Sequence, residues 1–279
     1  MILFHDVDGC LNPEDGTELS NHAEHLSPAA TNSLRALGRA LDDSPIEMFV
    51  LNTGRSWAAS EHLCAAIDST VVRYALTEHA TQLWDVSTGT RVDLGEVVST
   101  LGHVEMAEAL ERVFVVEELI QWFIAEGSGK LAESIKTSFE IATALDKTSN
   151  LTFTLPRDAD GDIWMDALKR LIEVDFGADT ASLIFHHSAP EGFIDVMPQV
   201  DKGMGLQLLQ AKYQHESFAS VAVGNGLNDL PMLEVADIAV CPSNAEPEVI
   251  EYCRQRGHVS DRSFVGGTFD WLSGHGGSN

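Results

Sequence analysis

The stretch Ile2-Leu3-Phe4-His5-Asp6-Val7-Asp8-Gly9 decides how the rest of the chain is read. A short apolar run that ends in acidic residues and a glycine describes a buried strand running into a loop. Two carboxylates at i and i+2, just past a strand, can converge on one reacting centre. One attacks while the other protonates the leaving oxygen. Gly9 permits the tight turn that follows. Taken alone, Asp-x-Asp-Gly also describes an ordinary turn, so its meaning depends on what the other strand ends carry.

Outward from that strand, Ser27-Pro28 opens a helix through Leu34, Leu37 and Leu41, with Ser at the N-cap and Pro in the first turn. Met48–Leu51 is a second apolar run, followed by Asn52-Thr53-Gly54-Arg55, a helix over about Ser56–Ile67 and a third strand at Tyr74–Leu76. Strands alternating with helices imply a parallel sheet with right-handed crossovers. From Lys202 the rhythm returns: a helix over Gly203–Tyr213, a strand at Ser220–Val223, a helix over Asn228–Val235, a strand at Ile238–Cys241 and a helix over Glu246–Arg256. The middle reads differently. Helical patterns over Val98–Ala125 and Leu131–Ala144 precede a strand at Leu151–Leu155 and a helix over Asp162–Val174. Two strands, Ala181–His187 and Phe193–Met197, then flank a hairpin loop at Ser188–Gly192. The expected fold is α/β: a doubly wound, Rossmann-like parallel-sheet core from residues 1–84 and 198–279, interrupted by an α+β cap over 85–197.

The balance of 17 Lys and Arg against 43 Asp and Glu gives a net charge of −26, which argues against nucleic acid and anionic membranes as partners. No apolar stretch is long enough to span a bilayer. The first residues enter an apolar strand with no basic n-region, so a cytoplasmic location is expected. Cys10, Cys64, Cys241 and Cys253 stand apart, with no C-x-x-C pair, and read as free buried thiols. Asn150-Leu151-Thr152 has the form of a glycosylation sequon but has no secretion signal to give it meaning.

In open α/β sheets, ligands bind outside the carboxyl ends of the strands. Four such ends carry chemistry here. After Asp6 and Asp8 comes Thr53, whose hydroxyl can hold a phosphoryl oxygen. Lys202 is a cation able to offset charge on a nucleophile and a phosphoryl group. Gly224-Asn225-Gly226-Leu227-Asn228-Asp229 is a polar turn opening a helix and can hold a cation. Each has a plain alternative: a loop, a surface lysine, an N-cap. Their joint order, each at the end of an apolar strand, makes the case.

Asp6-Val7-Asp8-Gly9, Thr53-Gly54-Arg55, Lys202-Gly203 and Gly224-x-x-x-Asn228-Asp229-Leu230-Pro231-Met232-Leu233 together resemble the four motifs of the haloacid dehalogenase (HAD) superfamily. They are closest to its Cof-type branch, with a large cap between motifs two and three. The resemblance implies a Mg²⁺-dependent phosphatase of a small phosphorylated metabolite, a sugar phosphate or sugar-acid phosphate. It implies Asp6 as nucleophile, Asp8 as acid/base, and Thr53 and Lys202 as further catalytic groups. Gly9, Gly54, Arg55 and Asn228 would bind phosphate or substrate, with Arg55 reaching the phosphate or bracing its loop. Asp6, Asp8, Asn225 and Asp229 would serve the metal. The Asn-Asp-Leu-Pro-Met-Leu stretch is similar to that of mannosyl-3-phosphoglycerate phosphatases, and sucrose phosphatases belong to the same group. A phosphomutase or phosphotransferase of this architecture, or a member that binds a phosphorylated ligand without turnover, is the alternative. The sequence departs from the family at Asn225, where Asp is usual; an amide oxygen can still ligate Mg²⁺ but brings no charge.

Other residues carry weaker expectations. Glu78-His79 follows the third strand as a loop. His186-His187 on a cap strand should point to opposite faces. His22 and His25 lack a third zinc ligand. Gly127-Ser128-Gly129-Lys130 lacks the earlier Gly, the following Ser/Thr and the preceding strand of a phosphate loop.

Overall fold

In the computed structural model, which describes residues 1–101, 104–135, 140–141, 147–156, 159–188, 192–213 and 218–275, β1 (Ile2–His5) is buried at every residue. It is an interior strand, paired in parallel with β2 (Met48–Asn52) on one side and β10 (Ser220–Val223) on the other. Beyond β2 lies β3 (Val72–Thr77), and beyond β10 lie β11 (Ile238–Cys241) and β12 (Gly257–Val259), all parallel. A strand buried on both faces needs apolar side chains on both, which is why β1, β2, β10 and β11 read as apolar runs rather than alternating ones.

The chain divides into two units, Met1–Gly102 with Asp201–Asn279, and His103–Val200. The first holds the parallel sheet. Its helices are α1 (Pro28–Asp42), α2 (Glu61–Ile67), α3 (Leu94–Leu101), α7 (Lys202–Lys212), α8 (Leu230–Val235), α9 (Pro247–Arg256) and α10 (Val265–His275). The N-cap Ser27 accepts from the Ala30 amide at 3.1 Å, as the Ser-Pro pair requires. Leu34, Leu37 and Leu41 of α1 are fully buried with Phe49, Leu51, Val221 and Trp271 in one apolar core.

Three differences from the sequence reading have local causes. The helix expected from Ser56 starts at Glu61. Ser56 and Ser60 turn the intervening residues on themselves, Ser60 Oγ donating to the Ser56 carbonyl at 2.7 Å. The insertion expected from residue 85 begins near 103. Between them, β4 (Gln82–Asp85) and β5 (Thr90–Val92) form a hairpin that adds two antiparallel strands to the edge beside β3. Asp85 Oδ1 accepts from the Ser87 and Thr88 amides and closes its turn, a signal that composition alone hides. The last strand, β12, and the last helix, α10, follow Arg256, where the reading placed no element; Gly257 and a short Gly-rich helix carry little period.

The second unit contains α4 (Val104–Trp122), α5 (Ser128–Ile135), α6 (Gly161–Leu171) and a four-stranded antiparallel sheet. The sheet runs β6 (Glu140–Ile141), β7 (Leu151–Thr154), β9 (Phe193–Pro198), β8 (Leu183–Ser188). Its α+β character matches the reading. Ile194 and Val196 of β9 are buried with Leu151, Phe153, Leu119, Phe123, Trp164 and Leu168, so the helices cover this face. The residues between, Thr152, Asp195 and Met197, are half-buried on the other face, and Thr152 donates to Asp195 at 2.5 Å. His187 lies on the helix side against Gly161, where a Cβ would come within 2.0 Å of its ring. The sequon Asn150 is 2% exposed. Gly127–Lys130 lies inside helix, which removes any phosphate-loop reading. Parts of the expected Leu131–Ala144 helix and of the Ser188–Gly192 loop lie outside the described residues. Among the described residues no helix is long and apolar enough to cross a membrane.

Candidate active site

Asp6 is the first residue beyond β1, at the point where successive connections leave toward opposite edges of the sheet. This switch point opens a crevice at the strand ends. Asp6 is 5% exposed. Its amide donates to the Val223 carbonyl at 3.0 Å, and one carboxylate oxygen, Oδ1, accepts from Lys202 Nζ. Lys202 is fully buried and donates also to Asp229 Oδ1 at 2.6 Å. It reaches this place as the first residue of α7. Asp201 caps that helix by accepting from the Met204 amide at 2.9 Å, and Asn52 Nδ2 holds the Lys202 carbonyl at 3.0 Å. Gly203 follows because α7 lies directly on the α8 segment: a Cβ there would be 2.5 Å from the Pro231 carbonyl oxygen.

Asp229 was expected at the cation. Its contacts give it another task. Oδ1 takes the Lys202 ammonium, and Oδ2 accepts from the amides of Asn225 and Gly226, each at 2.9 Å. Asp229 therefore orients Lys202 and folds the 224–229 turn. Two carboxylates against one ammonium leave the buried cluster one positive charge short. Burial, then the Asp229 charge, push the Asp6 carboxyl up to about 7 against the pull of Lys202. Burial works against the Lys202 charge, but Asp229 and Asp6 outweigh it and hold the ammonium well above its ordinary range.

The missing charge fits a cation. The Asn225 side-chain amide lies 2.8 Å from the Asp8 carbonyl oxygen and 3.3 Å from Asp6 Oδ2, and its NH₂ can donate to both. Turned over, the amide presents its oxygen there and accepts from the Cys10 thiol at 3.1 Å. Three hard oxygens then converge. Oxygens on adjacent corners of a Mg²⁺ octahedron stand about 2.9 Å apart, so the donor set suits that ion. Asp8 would contribute its carbonyl rather than the carboxylate expected from the sequence. Cys10, which the sequence reading left as a plain buried thiol, is kept protonated by burial and by the charges of Asp6 and Asp229. Gly9 makes this packing possible: its φ is +86°, and a Cβ would lie 2.3 Å from Asn225.

The Asp8 carboxylate points the other way, 61% exposed, into a two-pronged ion pair with Arg55. Arg55 Nε donates to Oδ2 at 2.9 Å and Nη2 to Oδ1 at 2.5 Å. The guanidinium is braced by the Leu19 carbonyl at 2.9 Å. Of the two tasks left open for Arg55, the geometry favours bracing, with Asp8 as the group braced. Thr53 is fully buried, and its hydroxyl accepts from the Arg55 amide at 3.1 Å. Gly54 leaves room for the His79 ring, which would otherwise be 2.7 Å from a Cβ. Glu78, His79 and Ala80 all have positive φ, 50°, 60° and 71°. Such a run is strained for non-glycine residues. It is held by the Glu78 amide on the Arg55 carbonyl at 2.9 Å and the His79 amide on the Thr53 carbonyl at 3.0 Å. Asn228 is exposed beside Gly226, apart from the buried cluster.

His5, Cys10, Asn52 and His79 are site residues that the sequence reading either passed over or gave no chemical role. A histidine ending an apolar strand, immediately before the acidic pair, was the available signal for the first.

A crevice at the switch point of a parallel sheet, with a buried Asp–Lys–Asp cluster and an oxygen-lined place that suits a cation, is an arrangement fitted to chemistry on an anionic group. Residues 138–262 match the family described as haloacid dehalogenase-like hydrolase; this segment carries Lys202, Asn225 and Asp229. Solved structures share the fold. Sucrose-phosphatase from Synechocystis sp. PCC6803 is 16% identical, with a TM-score of 0.58 over 99% of this chain and 97% of that one. A phosphatase of the haloalkanoate enzyme superfamily from Bacteroides thetaiotaomicron is 19% identical, with a TM-score of 0.57 over 99% and 94%. A Thermotoga maritima protein is 16% identical, with a TM-score of 0.59 over 98% and 96%. No curated protein matches the chain by sequence. Part of the chain, residues 138–262, is thus similar in sequence to haloacid dehalogenase-like hydrolases, and nearly the whole chain shares its fold with these solved structures.

Proposed function

We propose that this chain hydrolyses a small phosphorylated metabolite, a sugar phosphate or sugar-acid phosphate, through an aspartyl-phosphate on Asp6. The observation that carries the reading is the Asp6–Lys202–Asp229 cluster at the switch point, buried and short of one positive charge. An Asp6 carboxylate oxygen attacks phosphorus, the ester P–O bond breaks, and Asp8, protonated and turned out of its ion pair with Arg55, gives its proton to the leaving oxygen. Water then attacks phosphorus, the Asp6 O–P bond breaks, and the water's proton passes to Asp8, releasing phosphate and restoring the Asp6 carboxylate and the protonated Asp8. Lys202 steadies Asp6 and offsets charge on the transferring group, while the Thr53 hydroxyl and the 53–55 loop face the phosphoryl oxygens. Mg²⁺, held by Asp6, the Asp8 carbonyl and Asn225, would neutralise the phosphate. The 103–200 unit selects the leaving group; the sucrose-phosphatase structure, described in complex with sucrose and phosphate, supports a carbohydrate as that group.

Release of inorganic phosphate from an aryl phosphate, with Mg²⁺ and with chelator, tests the chemistry; a panel of sugar phosphates tests the class. Turnover that vanishes on chelation and favours sugar phosphates is expected. Binding of phosphate esters with no release would overturn the reading in favour of a ligand-binding role.

A further inference from the structure

His5 is the polar residue of β1, and the reaction above does not use it. Its ring is fully buried, 5.6 Å from the Phe49 ring. Both nitrogens are engaged: Nδ1 is 2.6 Å from the Asp6 carbonyl oxygen and Nε2 is 2.7 Å from the Thr268 hydroxyl. A carbonyl only accepts, so Nδ1 carries the proton, and a neutral ring then accepts from the hydroxyl at Nε2. Thr268 comes from α10 and is itself fully buried. An apolar residue would complete this strand as well as histidine does. A buried imidazole with both nitrogens satisfied does more than packing requires.

We propose that the Thr268–His5 pair positions the nucleophile by fixing the Asp6 peptide group, and with it the Asp6 carboxylate and the Asp8 carbonyl. The inference rests on Asp6 being the nucleophile, as read above. The ladder stops at Asp6. Its amide is held by Val223, but its carbonyl has left the sheet and is held by His5. A buried carbonyl without a partner is costly. Released from His5, it would turn to find one, rotating the Asp6–Val7 peptide from which the nucleophile and a candidate cation ligand both hang. Displacements on the order of 1 Å in a reacting group can cost about a hundredfold in rate. His5 and Thr268 touch no substrate in this scheme; they are positioning residues.

Thr268→Val keeps the shape and removes the hydroxyl, whereas Thr268→Ser keeps the hydroxyl. Steady-state hydrolysis of an aryl phosphate with saturating Mg²⁺ is measured for both, alongside ¹⁵N NMR of the imidazole nitrogens in the unaltered protein. His5 should appear as the Nδ1–H tautomer. Thr268→Val should lower kcat roughly tenfold with KM unchanged, and Thr268→Ser should stay within about twofold of the parent. An Nε2–H tautomer in the parent overturns the proposal without any variant having to fold. So does a Thr268→Val enzyme with parental kcat, or equal losses in the two variants. A parent that releases no phosphate from any ester defeats the nucleophile reading and the positioning role with it, while the NMR result still decides whether the relay exists.

Discussion

The two units of the chain handle polar groups in opposite ways. In the first, His5, Asp6, Asn52, Thr53, Lys202 and Asp229 lie at strand ends and are at most 5% exposed. In the second, no charged side chain is buried among the described residues: Ser149 and Asn150 are the buried polar ones beside an apolar core of α4, α6 and the sheet, and Thr152 and Asp195 of β7 and β9 are half-buried on the other face. Charge is buried only where something repays the desolvation, and such strained clusters concentrate at reacting centres. On the proposed function, bond-making belongs to the first unit and selection to the second. This division also fixes how each should respond to mutation: the first through rate and stability, the second through preference.

The sharpest way to break that division is to remove the nucleophile. Asp6→Asn should lower turnover on the order of 10⁴-fold or more for every substrate alike, because an amide does not attack phosphorus. Retention of measurable burst phosphate by that variant would move the chemistry elsewhere. Lys202→Met comes next. It leaves Asp6 and Asp229 buried together with no cation between them, and breaking such a pair costs about 3–5 kcal/mol. Urea unfolding should show that loss, together with lost activity. A variant as stable as the parent would mean that the cluster is more open to water than its burial implies.

A selection surface behaves otherwise. Asp195→Ala removes the carboxylate that holds Thr152 on the open face of the second unit. It should change the ranking of sugar phosphates by roughly tenfold while leaving the rate on a small aryl phosphate within about twofold. Equal loss on all substrates would place Asp195 in the common machinery and erase the division.

The same contrast explains what the sequence made legible. Interior parallel strands are apolar on both faces, so β1, β2, β10 and β11 stood out, and turn chemistry at their ends marked Asp6, Thr53 and Asn225. The hairpin β4–β5 did not, because an edge pair carries polar residues such as Arg91 and Thr90 and has no strong alternation. The roles of contacts were less legible than their participants. The 224–229 turn showed two candidate metal ligands, but which of them faces a cation depends on α7 delivering Lys202 to Asp229. The pairing of Asp8 with Arg55 spans 47 residues and rests on the bend between β2 and α2. His5 acts through Thr268, 263 residues away, a partnership that no local pattern encodes.

The smallest effect tests the cation place itself. Asn225→Asp adds a carboxylate 3.3 Å from Asp6 Oδ2 and 2.8 Å from the Asp8 carbonyl. The parental cluster already has two carboxylates to one ammonium, so without a cation the third carboxylate faces only the weak Cys10 thiol donor and repels its neighbours. With Mg²⁺ present the same group becomes a charged ligand, and the concentration giving half-saturation should fall roughly five- to tenfold. The two consequences have opposite signs and can be read in one experiment. In calorimetric titration the Asp form should bind Mg²⁺ more tightly. In thermal unfolding it should be less stable than the parent in chelator and gain more on adding Mg²⁺. Equal stability and equal affinity in both forms would mean that Asp229, through Lys202, already sets the charge at the site. A tighter site with unchanged stability in chelator would show that the added carboxylate swings clear of Asp6 until the ion arrives. Only the pair of changes, lower without the cation and higher with it, places residue 225 in direct contact with the ion.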